Sequence, residues 1–113
     1  MNDCLFCKIV AGDIPSSKVY EDEYVYAFND IDPQAPTHIL FIPKKHISSA
    51  AQIDAENSFI VSKIFEAIAK VAREKKLDDG FRVVSNVGES AGQTVPHLHF
   101  HVLSGRDMTW PPG

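Results

Sequence analysis

The stretch "HLHFHVL", residues 97–103, constrains the fold more than any other part of the chain. Successive side chains of a β-strand point to opposite faces, so residues two apart share a face. Read as a strand, His97, His99 and His101 line one face while Leu98, Phe100 and Val102 line the other. The apolar face has to be covered by another element to form a core. The histidine face has to meet water, a ligand or a metal. The chain must therefore build a sheet with two unlike faces.

A cover for the apolar face is visible upstream. Val61, Ile64, Ile68 and Val71 recur at steps of three and four, and Phe65 and Ala72 widen the stripe, which predicts one long amphipathic helix. Asp54 is placed to cap it and Gly80 to end it, and Arg73, Lys75 and Lys76 suit the negative end of its dipole. "KVYEDEYVYAFND" reads as two short strands around the acidic turn 21–23, with Tyr24, Tyr26 and Phe28 alternating against Val25 and Ala27. "HILFIP", "FRVVSN" and "HLHFHVLS" supply three more strands. "CLFCKIVAGDIP" opens with a short helix-like apolar cluster, stopped by Gly12 and Pro15. Strands, one long helix and further strands predict an α+β domain: a five-stranded antiparallel sheet with a helix on one face.

At 113 residues, 1–113 form a single domain with room for one real core. Eleven basic residues stand against fifteen acidic ones, a formal net charge of −4, which disfavours a nucleic-acid backbone binder. A small nucleotide needs only a local pocket and is not excluded. No apolar run approaches the ~20 residues needed to span a bilayer. The acidic start "MNDCLFC" carries no secretory signal, and two close cysteines make no disulfide framework, so a cytoplasmic protein is the economical reading.

Three chemistries fit the histidine face. It is a solvated strand face, a metal site in which histidines chelate zinc with an open water position, or a site of covalent catalysis. In the last, a neutral imidazole attacks phosphorus and a second one handles the proton or the phosphate charge, as a pKa of ~6.5 allows. Spacing does not choose among them. The loop "GESAGQT" before the histidines carries glycines that let backbone N–H groups approach phosphate oxygens, although it lacks the lysine of a Walker loop. "CLFC" raises zinc or redox chemistry. It lacks the preceding strand of a thioredoxin-like motif, and zinc would need two more ligands from histidine or carboxylate.

The pattern "HLHFHVL" resembles the signature of the histidine triad (HIT) family of nucleotide hydrolases and transferases. "CKIVAGDIPSSKVYEDE", "AFNDIDPQAPTHILFIPKKHI", "GFRVVSNVGESAGQTVPH" and "GRDMTWPPG" extend the resemblance to the Hint branch, the nucleoside phosphoramidases, over essentially the whole chain. The resemblance implies a HIT fold whose dimer joins two sheets into ten strands. It implies that His99 attacks the α-phosphorus of a purine nucleoside phosphoramidate and forms a nucleotidyl-histidine intermediate. The carbonyl of His97 would fix the His99 tautomer, and His101 would contact the phosphate and assist proton transfer. Thr94 stands where the Hint pattern has serine, near the leaving group.

By the same resemblance, Asn86 and the loop residues Gly92 and Gln93 belong to the phosphate site, and Asp30 binds the ribose hydroxyls. Leu5, Phe6, Ile9, Phe28 and Ile31 form the base pocket, and Asn29 replaces a histidine of some relatives. Trp110 would reach the partner subunit's leaving-group side. Bacterial-type members carry a structural zinc, here implied on Cys4, Cys7, His46 and His97, and the chemistry needs no metal. His38, at the start of a strand, reads as a local structural residue. Rival readings are a dinucleoside polyphosphate hydrolase, against which "GRDMTWPPG" argues, a metal-activated hydrolase, and a nucleotide-binding regulatory protein with vestigial catalysis.

Overall fold

Period-two segments rich in β-branched and aromatic residues pair into one antiparallel sheet, and two helices close its faces. A computed structural model describes residues 3–113. The elements are α1 (Leu5–Ala11), β1 (Lys18–Glu21), β2 (Val25–Asn29), β3 (Thr37–Pro43), α2 (Ser58–Glu74), β4 (Phe81–Val84) and β5 (Phe100–Ser104). The strand order is β1-β2-β3-β5-β4, with every neighbouring pair antiparallel. The five-stranded α+β architecture read from the sequence is the one observed.

Alternation sorts the core into two layers. Val25, Ala27, Ile39, Phe41, Leu98, Phe100 and Val102 pack under α2 with Ile60, Ile64, Ile68 and Val71. Tyr26, Phe28, Leu40 and Ile42 point to the opposite face and pack with Phe6 and Ile9 of α1. Strand β3 is buried on both faces because it lies at the sheet centre, between β2 and β5. Helix α1 thus occupies the face that carries the histidines.

Three local expectations need correction. The long helix is regular only from Ser58, although the Asp54 carboxylate does accept the N–H groups of Glu56 and Asn57 at 2.9 and 3.1 Å. Asp54 therefore caps an irregular first turn ahead of the helix. The helix ends at Glu74, well before Gly80. Lys76 takes the left-handed conformation (φ 58°), and the Leu77 N–H reaches the Ala72 carbonyl at 3.0 Å, a Schellman closure without glycine.

Strand β5 begins at Phe100, so His97, Leu98 and His99 precede the ladder. The Leu98 N–H donates to the Ile47 carbonyl and the His97 N–H to Val95, which pulls this segment out of strand pairing. The division into two faces nevertheless persists, with Leu98 in the α2 core and both His97 and His99 against Phe6 of α1.

Candidate active site and metal centre

Residues remote in sequence bring four ligand atoms together beside α1. Cys4 Sγ lies 3.3 Å from His97 Nδ1, Cys7 Sγ lies 3.3 Å from His46 Nδ1 and 3.5 Å from His97 Nδ1, and the two Nδ1 atoms are 3.2 Å apart. A tetrahedral zinc with Zn–S of about 2.3 Å and Zn–N of about 2.05 Å has S–N edges of roughly 3.5 Å and N–N edges of roughly 3.3 Å. The observed edges match that tetrahedron within a few tenths of an ångström. The Cys4 side chain also accepts the Cys7 N–H at 3.4 Å, so the first cysteine caps the helix that carries the second. His97 Nε2 sits 2.9 Å from the Pro43 carbonyl, which can only accept. Its proton is therefore on Nε2, and the Nδ1 lone pair is left for the cluster. The donor set and its spacing fit zinc.

The next histidine is oriented by the same backbone. His99 Nδ1 is 2.7 Å from the His97 carbonyl, so Nδ1 carries a proton and donates it. The Nε2 lone pair is left at the far edge of the ring, and His99 lines a cavity beside α1. Phe6 packs edge-on against it with centroids 5.1 Å apart. Ser85 Oγ donates to the His99 carbonyl at 2.8 Å and ties this segment to the end of β4.

A third histidine pair was not legible as a site. His38 is buried, and its Nδ1 accepts the Gln34 N–H at 3.0 Å, which places its proton on Nε2. That Nε2 lies 2.9 Å from His101 Nδ1 and 3.4 Å from Asp30 Oδ2. His101 Nδ1 then accepts, and the neutral His101 ring presents an Nε2–H. Burial pushes the His101 imidazole down to about 4, with His99 and His38 adding to the shift and Asp30 opposing it. Burial likewise lowers the pKa of His97, against the opposing hydrogen bond to Pro43. The reading of His38 as a local structural residue is thus too narrow: it links Asp30 to His101.

Asp30, His99 and His101 open on a cavity of about 370 Å³, a size suited to a small ligand. Leu5, Phe6, Ile9 and Phe28 form an apolar wall, and Asn29, Asp30 and Ile31 form a rim. Thr94, His99 and His101 line the polar side. Asp30 also accepts the Asp32 N–H through Oδ1 at 2.8 Å, so it makes a local turn while its other oxygen faces His38. An apolar wall beside a few convergent polar groups suits a small ligand with apolar and polar parts.

The remaining site residues from the sequence lie outside that lining. Gly92 adopts φ 89° at the end of the short 3-10 turn Glu89–Ala91, and a Cβ there would stand 4.0 Å from Asn86 Nδ2. Gln93 braces the loop: its amide oxygen accepts from the Gly88 N–H, and its nitrogen donates to the Ser48 and Val95 carbonyls. Trp110 is 81% exposed on the C-terminal segment and lines no part of the cavity. Its neighbour Thr109 is held through its carbonyl by Arg82 Nη2 at 2.9 Å.

A histidine array beside a Cys/His cluster, on this strand order, defines a class. Residues 11–108 match the HIT domain model, and the chain belongs to that family. The 14 kDa zinc-binding protein of Zea mays is 48% identical over 111 residues, covering 96% of this chain and 87% of that protein. A HIT family hydrolase from Legionella pneumophila superposes with a TM-score of 0.95 at 48% identity, covering 98% of this chain and all of the other. A histidine triad protein from Clostridium difficile superposes with a TM-score of 0.92 at 52% identity, covering 96% of each chain.

Proposed function

We propose that this protein is a hydrolase of purine nucleoside phosphoramidates, cleaving the P–N bond through a nucleotidyl-His99 intermediate. The observation that carries the reading is the 2.7 Å contact of His99 Nδ1 with the His97 carbonyl, which leaves the Nε2 lone pair in a cavity rimmed by Asp30. Asp30 accepts from the ribose hydroxyls, and the wall of Leu5, Phe6, Ile9 and Phe28, rimmed by Asn29 and Ile31, holds the base. Asn86, with Gly92 and Gln93 of the loop, frames the phosphate.

In the first step, His99 Nε2 bonds to the α-phosphorus as the P–N bond breaks. The leaving nitrogen takes a proton relayed from solvent by the Thr94 hydroxyl or His101 and departs as an amine. The His101 Nε2–H donates to a phosphoryl oxygen and stabilises charge as it develops. Water then attacks the phosphorus, gives up its proton to the same groups, and frees His99 and a nucleoside monophosphate. A neutral His101 suits this role, because it waits uncharged in its pocket until an anion arrives.

No metal is needed for these steps. Cys4, Cys7, His46 and His97 would hold a structural zinc, which would tie the N-terminal segment to the sheet. The working form is a cytoplasmic homodimer in which Trp110 approaches the partner's leaving-group side. The Legionella relative, described as a HIT family hydrolase, supports the class of reaction. Rapid quench with labelled adenosine phosphoramidate tests it: acid-labile label should appear on the wild-type chain. His99→Ala should bind AMP yet lose at least about 10³-fold in turnover. Near-normal turnover in that variant would sink the mechanism.

A further inference from the structure

The metal centre and the reactive ring meet in one residue and one short helix. His97 turns its Nδ1 to the cysteine cluster and its carbonyl to His99. Between the two cysteines the chain carries Phe6, whose ring stands edge-on against both His97 and His99, at 5.9 and 5.1 Å. Leu5, Phe6 and Ile9 of the same helix form a wall of the cavity. Helix α1 has seven residues, too few to persist by itself in water. Only Phe6 and Ile9 of it are buried, so its seat depends on those two side chains and on what Cys4 and Cys7 hold. The larger core under α2 contains none of these residues and keeps the sheet together without them.

We propose that the Cys4–Cys7–His46–His97 centre positions the catalytic machinery as well as stapling the terminus. Ligation through His97 Nδ1 fixes the carbonyl that holds His99 in its Nδ1–H tautomer. Ligation through Cys4 and Cys7 seats Phe6 and the α1 wall of the nucleotide pocket. His97, Cys4, Cys7 and Phe6 are thus positioning residues that act through His99 and through the pocket. The inference rests on reading His99 as the nucleophile and the cavity as the nucleotide pocket.

The test compares zinc-loaded protein with the chelator-stripped chain and with Cys7→Ser and Cys7→His. Far-UV circular dichroism reports the fold, calorimetry reports AMP affinity, and long-range ¹H–¹⁵N spectra of labelled imidazoles report the His99 tautomer. The stripped chain and Cys7→Ser should remain folded, bind AMP about tenfold more weakly, and show mixed tautomers at His99. Cys7→His, which restores a zinc ligand, should recover both readings. A folded, stripped chain with AMP affinity within twofold and a single tautomer overturns the proposal. So does global unfolding on stripping, which would make the metal a requirement of the fold itself. A zinc-loaded Cys7→His that recovers neither reading also overturns it. None of these readings requires P–N turnover, so a failure of the phosphoramidase reading would be seen separately, in His99→Ala.

Discussion

The two faces of the sheet do different work. Under α2 lies a continuous apolar layer built from Ile, Val, Leu, Ala and Phe, with no titratable group among its buried residues. Under α1 the apolar layer is smaller, and His38, His97, His99 and His101 lie at its edge with Asp30 and the cysteine pair. One strand serves both, since Phe100 and Val102 face the first layer while His101 faces the second. Burying polar rings costs free energy unless each finds a partner, and each histidine of the α1 face does. Stability is concentrated on one side of a single sheet and chemistry on the other.

The sharpest way to break that division is to excavate the α2 face. Ile64 is fully buried at the centre of the layer. Ile64→Ala should cost about 2–5 kcal/mol of stability, as large-to-small changes in packed cores do. Urea denaturation would measure the loss, and turnover per folded molecule should stay near wild type. A fall in turnover matching the loss of stability would show that the faces are coupled.

On the α1 face the converse is expected. His38→Phe keeps a planar ring but leaves His101 Nδ1 without its donor and the Gln34 N–H without its acceptor. Turnover should fall about 10²-fold, in the range typical of a disturbed acid–base group. Stability should fall by only about 1–3 kcal/mol, for one unsatisfied backbone donor. His38→Gln, whose amide offers both a donor and an acceptor, should recover part of the rate. An unchanged rate in His38→Phe would remove His38 from the site.

That prediction also marks where sequence reasoning stops. The alternation in "HLHFHVL" and the stripe from Val61 to Val71 state a period, and period alone places side chains on faces. Register is a different matter. His38 meets His101 because β3 pairs with β5 so that Leu40 lies opposite His101 and His38 opposite Leu103. The two histidines are then diagonal neighbours on one face, and nothing local to residue 38 encodes a pairing 63 positions away. The cysteine cluster has the same character, with histidine partners 39 and 90 residues beyond Cys7 that only a resemblance could assemble. The start of β5 and the end of α2 were missed for a more local reason. Backbone bonds to Ile47 and a left-handed Lys76 decided them, and neither belongs to the hydrophobic pattern.

The finest comparison lies within the α1 face, and acid reveals it. The His101 pKa is lowered from 6.5 to about 4, so between those values the unfolded chain binds more protons than the folded one. Its contribution to stability is fully present above about pH 6.5 and is lost as the pH falls towards 4. Allowing for partial solvation of the ring, the loss should be on the order of 1–2 kcal/mol. Acid also weakens metal binding by histidine and cysteine ligands, which must be deprotonated to bind, and so destabilises a metal-loaded chain as well. Comparing wild type with His101→Gln separates the two, because metal release is common to both chains and cancels in the difference. Urea midpoints at pH 7.5 and 4.5 should therefore converge between wild type and variant as the pH falls. If His101→Gln keeps the whole acid slope of the wild type, the acid sensitivity of this face belongs to the cysteine–histidine centre and not to the His38–His101 pair.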